Sequence, residues 1–72
     1  MPINATAQNL ADALLRGALA GSLVSVSYQP TPAWWDELVW WMHMMAGGYP
    51  VEVTVIPLFN GARLEVQLRP NV

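Results

Sequence analysis

His43, Asp36 and Glu37 are the residues in this 72-residue chain best equipped for chemistry, and they lie close together in sequence. A histidine beside a carboxylate can shuttle protons only within hydrogen-bond reach. If the segment is helical, Asp36 and His43 stand on one line but about 10 Å of helix rise apart. Glu37 is no nearer, so the three do not form an acid–base couple. His43 is the single histidine and there is no cysteine, which rules out a multi-histidine or thiolate metal site within one chain, and any disulfide. Ser22, Ser25 and Ser27 have no neighbouring base to activate them. The chain has no glycine-rich phosphate loop and no zinc-protease motif. No catalytic residue, metal or cofactor is assigned.

What the segment around these residues does contain is hydrocarbon. All four tryptophans and three of the four methionines fall in "TPAWWDELVWWMHMMAGG", residues 31–48. Winding it as a helix places Trp34, Trp35, Leu38, Val39, Trp41, Met42 and Met45 on one broad arc, wide enough for a core face. The opposite arc runs through His43, Asp36, Trp40, Met44 and Glu37. That arc should meet water, yet Trp40 and Met44 stand in its middle. Tryptophan is enriched at binding hot spots, and methionine adapts to varied surfaces. Trp40, Met44, His43, Asp36 and Glu37 are therefore the expected partner-binding residues. An aromatic cage for a cation, built from the tryptophans with Asp36 and Glu37, is a second expectation. A third is an enzyme whose site is completed at a dimer interface, where two copies of His43 meet.

The elements that must carry this helix follow from the rest of the sequence. Residues 6–20 repeat apolar side chains at three- and four-residue spacing, which predicts a helix with Thr6 or Asn4 as cap and Gly21 beyond its end. Asp12 and Arg16 are spaced to pair on its surface. Gly17 within it costs about 1 kcal/mol relative to alanine and marks either a close crossing with another element or nothing. Residues 22–28 alternate as a half-buried strand, stopped by Pro30 and Pro32. Thr31 is the expected N-cap of the tryptophan helix, Pro32 its first residue and Gly47–Gly48 its end.

The tail predicts a hairpin with Asn60–Gly61 as its two-residue turn. This register pairs Phe59 with Ala62, Pro57 with Leu64, Val55 with Val66 and Val53 with Leu68, all apolar. The other face pairs Leu58 with Arg63, Ile56 with Glu65, Thr54 with Gln67, and Glu52 with Arg69. Pro57 would then lack a ladder donor, which calls for a bulge or an edge position. The proline-free strand, 62–69, is the better central one. The expected fold is one small α+β domain, residues 1–72, in the order α-β-α-β-β. Its three-stranded sheet has the C-terminal strand central, as a split β-α-β, and both helices on the apolar face. The alternative sets the first two strands side by side and parallel.

Composition bounds the function. Net charge is −2, with three arginines and no lysine, too few cations to track a nucleic-acid backbone or an anionic membrane. No apolar stretch is long enough to cross a bilayer, and the N-terminus lacks a signal-peptide pattern, so a soluble cytoplasmic protein is expected. With 54% hydrophobic and 11% charged residues, so short a chain must rely on a very apolar core or on association. The expected function is a non-enzymatic protein–protein interaction module, homodimeric or docked on a host protein. Edge-to-edge pairing of the first strand or the 51–59 strand is a further route to a dimer. Very small acidic proteins without motifs are frequent among phage and mobile elements, where many inhibit a host protein. The arginine-only basic set fits a GC-rich coding genome.

Overall fold

The structure is a computed structural model that describes residues 5–70. The elements are α1 (Ala5–Leu19), β1 (Val24–Tyr28), α2 (Trp35–Ala46), β2 (Val51–Leu58) and β3 (Gly61–Leu68). They build one antiparallel sheet in the order β1-β3-β2, covered on one face by both helices. The C-terminal strand is central, so the side-by-side parallel arrangement is excluded. Among the described residues, no helix is long and apolar enough to cross a membrane.

The core is small and centred on β3. Leu64 and Val66 of β3 and Leu38 and Met42 of α2 are fully out of water. α1 meets them with Ala7, Ala11 and Ala18, whose short side chains let the helix lie close. Its C-terminus closes as the sequence suggests. Gly21 has φ 98°. The Ser22 N–H donates to the Gly17 carbonyl at 3.2 Å and the Gly21 N–H to the Ala18 carbonyl at 3.0 Å, a Schellman cap. Arg16 pairs with Asp12 at 2.9 Å on the surface. Gly17 does mark a close crossing, because a Cβ there would lie 2.7 Å from Val24 Cγ1. At the start, Thr6 lies inside the helix rather than capping it. Asn4, the other candidate cap, lies outside the described residues.

Two further local expectations are corrected. α2 begins at Trp35, not after Thr31. The Trp35 N–H donates to the Pro32 carbonyl in a turn, and Trp34 holds the N-cap position without a side-chain bond. The chain spends these residues climbing from the sheet edge to the helix layer. Tyr28 meets the rings of Trp34 and Trp35 edge-on, at 5.5 and 6.0 Å, and so fixes that climb. Asp36 and Glu37 then fall in the first turn, where the helix dipole favours them.

The hairpin register is the second correction. The observed pairs are Val51/Leu68, Val53/Val66, Val55/Leu64 and Pro57/Ala62 on one face. Glu52/Gln67, Thr54/Glu65, Ile56/Arg63 and Leu58/Gly61 pair on the other. The turn is Phe59–Asn60, with only Asn60 in the left-handed region at φ 56°. The shift from the expected register is even, so each side chain keeps its predicted face.

Gly61 is a strand residue whose glycine is needed for another reason. A Cβ there would run into the carbonyl oxygen of Tyr28 on β1. Pro57 also ceases to be a flaw. The Arg69 N–H donates to the Pro50 carbonyl at 2.9 Å, so 50/69 is a hydrogen-bonded pair. By alternation 57/62 is a non-hydrogen-bonded pair, and the missing N–H of Pro57 faces the free edge. Neither a bulge nor the Glu52/Arg69 ion pair is required.

The two registers differ in outcome. Gly61→Ala is expected to destabilise by about 2 kcal/mol or more, because backbone must move to admit the methyl. Pro57→Val should change stability by less than about 0.5 kcal/mol, as no ladder bond is regained. Urea unfolding of both variants checks this; marked stabilisation by Pro57→Val would restore the Asn60–Gly61 turn. Leu64→Ala is expected to cost about 2–5 kcal/mol, a large share of so small a domain's stability, read from the same curves.

Candidate functional site

α2 turns its buried side, Trp35, Leu38, Met42 and Ala46, onto α1 and the sheet. Trp34, Val39, Trp41 and Met45 are half-buried at the margins of that contact. Asp36, His43 and Met44 are exposed on the outer arc, and Glu37 and Trp40 are half-buried. All five sequence-predicted residues therefore lie outside the core, with Met44 60% exposed.

Trp40 is neither free in water nor tucked beneath the backbone. Its ring meets that of Trp41 at 4.9 Å and 85°, edge to face. Trp40 thus shelters a neighbour that the sheet only partly covers. The four indoles form two separate groups, Trp34 and Trp35 around Tyr28, and Trp40 on Trp41.

Two polar atoms on this helix are buried without a hydrogen-bond partner, Glu37 Oε2 and Trp41 Nε1. They belong to residues one helical turn apart, one an acceptor and the other a donor. Each such atom costs on the order of 1–3 kcal/mol, which is a reason to look for what would satisfy it.

His43 is committed to its own helix. Its Nδ1 lies 2.9 Å from the Val39 carbonyl, which can only accept, so Nδ1 carries the hydrogen and donates. Nε2 is the ring atom left to face outward. The fold adds neighbours that no spacing announces. His43, Ala46, Gly47, Val51, Glu52, Val53 and Arg69 line an open pocket of about 280 Å³, where the end of α2 overlies the start of β2. Arg69 is itself occupied, its Nε donating to the Val51 carbonyl at 3.2 Å. Sequence reasoning missed Glu52 and Arg69 because they reach His43's side of the molecule only through the sheet topology. Among the described residues, no three of His, Asp and Glu are grouped to hold a metal ion.

The outer arc of α2 thus offers exposed apolar surface at Met44 and an exposed carboxylate at Asp36. Comparison with known proteins gives no relative to set beside this arrangement: no family model, no curated protein and no solved structure matches the chain.

Proposed function

We propose that this protein is a non-enzymatic protein-interaction module whose binding face is the outer arc of α2. The observation that carries the reading is the exposed Met44 beside the Trp40–Trp41 pair. An exposed methionine is ordinary alone, but next to an edge-to-face tryptophan pair it makes an anchor suited to a partner's apolar side chain. The exposed carboxylate of Asp36 sets the polar rim, with the half-buried Glu37 next to it in the chain, and α2 carries no arginine. The partner is therefore another protein that presents an apolar plug with basic neighbours. A module that binds without chemistry acts by occupying its partner's surface, as an inhibitor of a host protein does.

The test places a photo-crosslinking amino acid at Met44 in the native cell. A discrete protein adduct is expected, and Trp40→Ala should deplete it while leaving the circular dichroism unchanged. With the partner purified, Trp40→Ala combined with Met44→Ala should weaken binding roughly thirtyfold. If the double variant binds unchanged, the face is inert. If tryptophan fluorescence instead titrates with a small metabolite and no protein adduct forms, the ligand-binding reading replaces this one.

A further inference from the structure

The sheet leaves two free edges, and they are not equivalent. The Arg69–Pro50 bond fixes the alternation along β3. Ala62, Leu64 and Val66 turn their backbone groups toward β1, where they pair with Tyr28, Val26 and Val24. The N–H and C=O groups of Ser25 and Ser27 therefore point away from the sheet, and both residues are exposed. On the other edge, Val51, Val53, Val55 and Pro57 point outward. That edge is blunted at both ends. The Val51 N–H donates to the Tyr49 carbonyl at 2.9 Å, the Val51 carbonyl accepts from Arg69 Nε, and Pro57 has no N–H. Proteins protect an exposed edge with prolines, charges or covering side chains. β2 has such devices and β1 has none. From Gly17 to Trp35 there is no charged residue at all.

We propose that β1 pairs with β1 of a second copy of this chain, antiparallel about a two-fold axis at Val26. This register overlaps Val24–Tyr28 completely with itself. Ser25 then faces Ser27 of the second copy, and each such pair exchanges two backbone hydrogen bonds. Two three-stranded sheets become one of six strands. A second copy is the fitting occupant because the run on either side of the axis carries no charge, so nothing repels its own image. Val24, Val26 and Tyr28 support the same occupant. They face the helix layer, yet each is only half-buried, because β1 stands at the margin of that layer. A second copy brings Val26 against Val26 and Val24 against Tyr28, and covers what is left open. The interface is separate from the outer arc of α2 and leaves it facing outward on both copies.

Sedimentation measures the mass of the full chain, with a species twice 7.9 kDa expected. Ser25→Lys with Ser27→Lys sets like charges directly opposite one another across the axis. It should raise the dissociation constant roughly tenfold or more, as should the Glu/Glu counterpart. Mixing the two variants should restore a dimer that contains one of each. Amide exchange in the unsubstituted chain needs no variant: Ser25 and Ser27 should gain protection as concentration rises, with Val24 and Val26 protected throughout. A monomer at every concentration overturns the proposal. So does a dimer that survives the Lys/Lys change, or one that is lost instead with Trp40→Ala and Met44→Ala. Failure of the α2 crosslink leaves these readings untouched, and the two surfaces are judged apart.

Discussion

The complete burial of four side chains, Leu38 and Met42 from α2 and Leu64 and Val66 from β3, is the constraint that the rest of the structure obeys. Each contributes about 1.5–3 kcal/mol of hydrophobic stabilisation. β3 can supply two of them because it is the one strand paired on both sides. α1 serves the same core by being thin. Its alanines bring the helix axis close, and Gly17 lets Val24 approach it. Leu14 and Leu15 fill the space between these close approaches, so a bulkier residue in place of Ala7, Ala11 or Ala18 would push α1 away from the core.

A core this small cannot use all the apolar surface the chain carries. Together with the unpaired backbone of the sheet edge, what is left unsatisfied takes two forms with different physics. On α2 it is side-chain hydrocarbon, Met44 and part of Trp40, whose burial is non-directional and accepts many shapes. On β1 it is backbone, the outward groups of Ser25 and Ser27, whose bonding is directional and demands another strand in register. The first kind suits recognition of a different protein. The second suits a copy of the same strand. The asymmetry of the two sheet edges separates them, since Arg69, Tyr49 and Pro57 spend their bonding capacity, or lack of it, on the β2 side.

Much of the fold was legible because its signals are local. The α1 periodicity, the Gly21 cap, the Asp12–Arg16 pair and the close crossing at Gly17 all depend on residues within a few positions of one another, or on the absence of a side chain. The central place of the last strand followed from where prolines are missing. The hairpin corrections share one cause. Glycine tolerates positive φ, so Asn60–Gly61 reads as a turn when only the tail is considered, and that turn sets Pro57 where it breaks the ladder. The real demand on Gly61 comes from Tyr28, more than thirty positions earlier, whose carbonyl needs the space. Likewise Thr31 and Pro32 are sound helix starters, but the ring contacts of Tyr28 with Trp34 and Trp35 decide where the helix begins. The outer arc of α2 was visible in its wheel. The company His43 keeps with Glu52 and Arg69 was not, because it arises only when β2 returns beneath the end of α2.

The allocation of charge bears on what the proposed partner of α2 would bring. Of the three arginines, Arg16 is held by Asp12, Arg69 is turned to the Val51 carbonyl, and Arg63 stands opposite Ile56 on the sheet face away from the helices. His43 gives one ring nitrogen to Val39. The exposed carboxylate of Asp36 thus faces outward from α2 with no arginine on that helix to balance it, whereas Glu37 is half-buried. Two such arcs brought face to face would set like charges in a low-dielectric contact, at a cost that apolar burial by Met44 would first have to overcome. Self-association is therefore better served by the charge-free strand, and the helix by a surface of opposite sign.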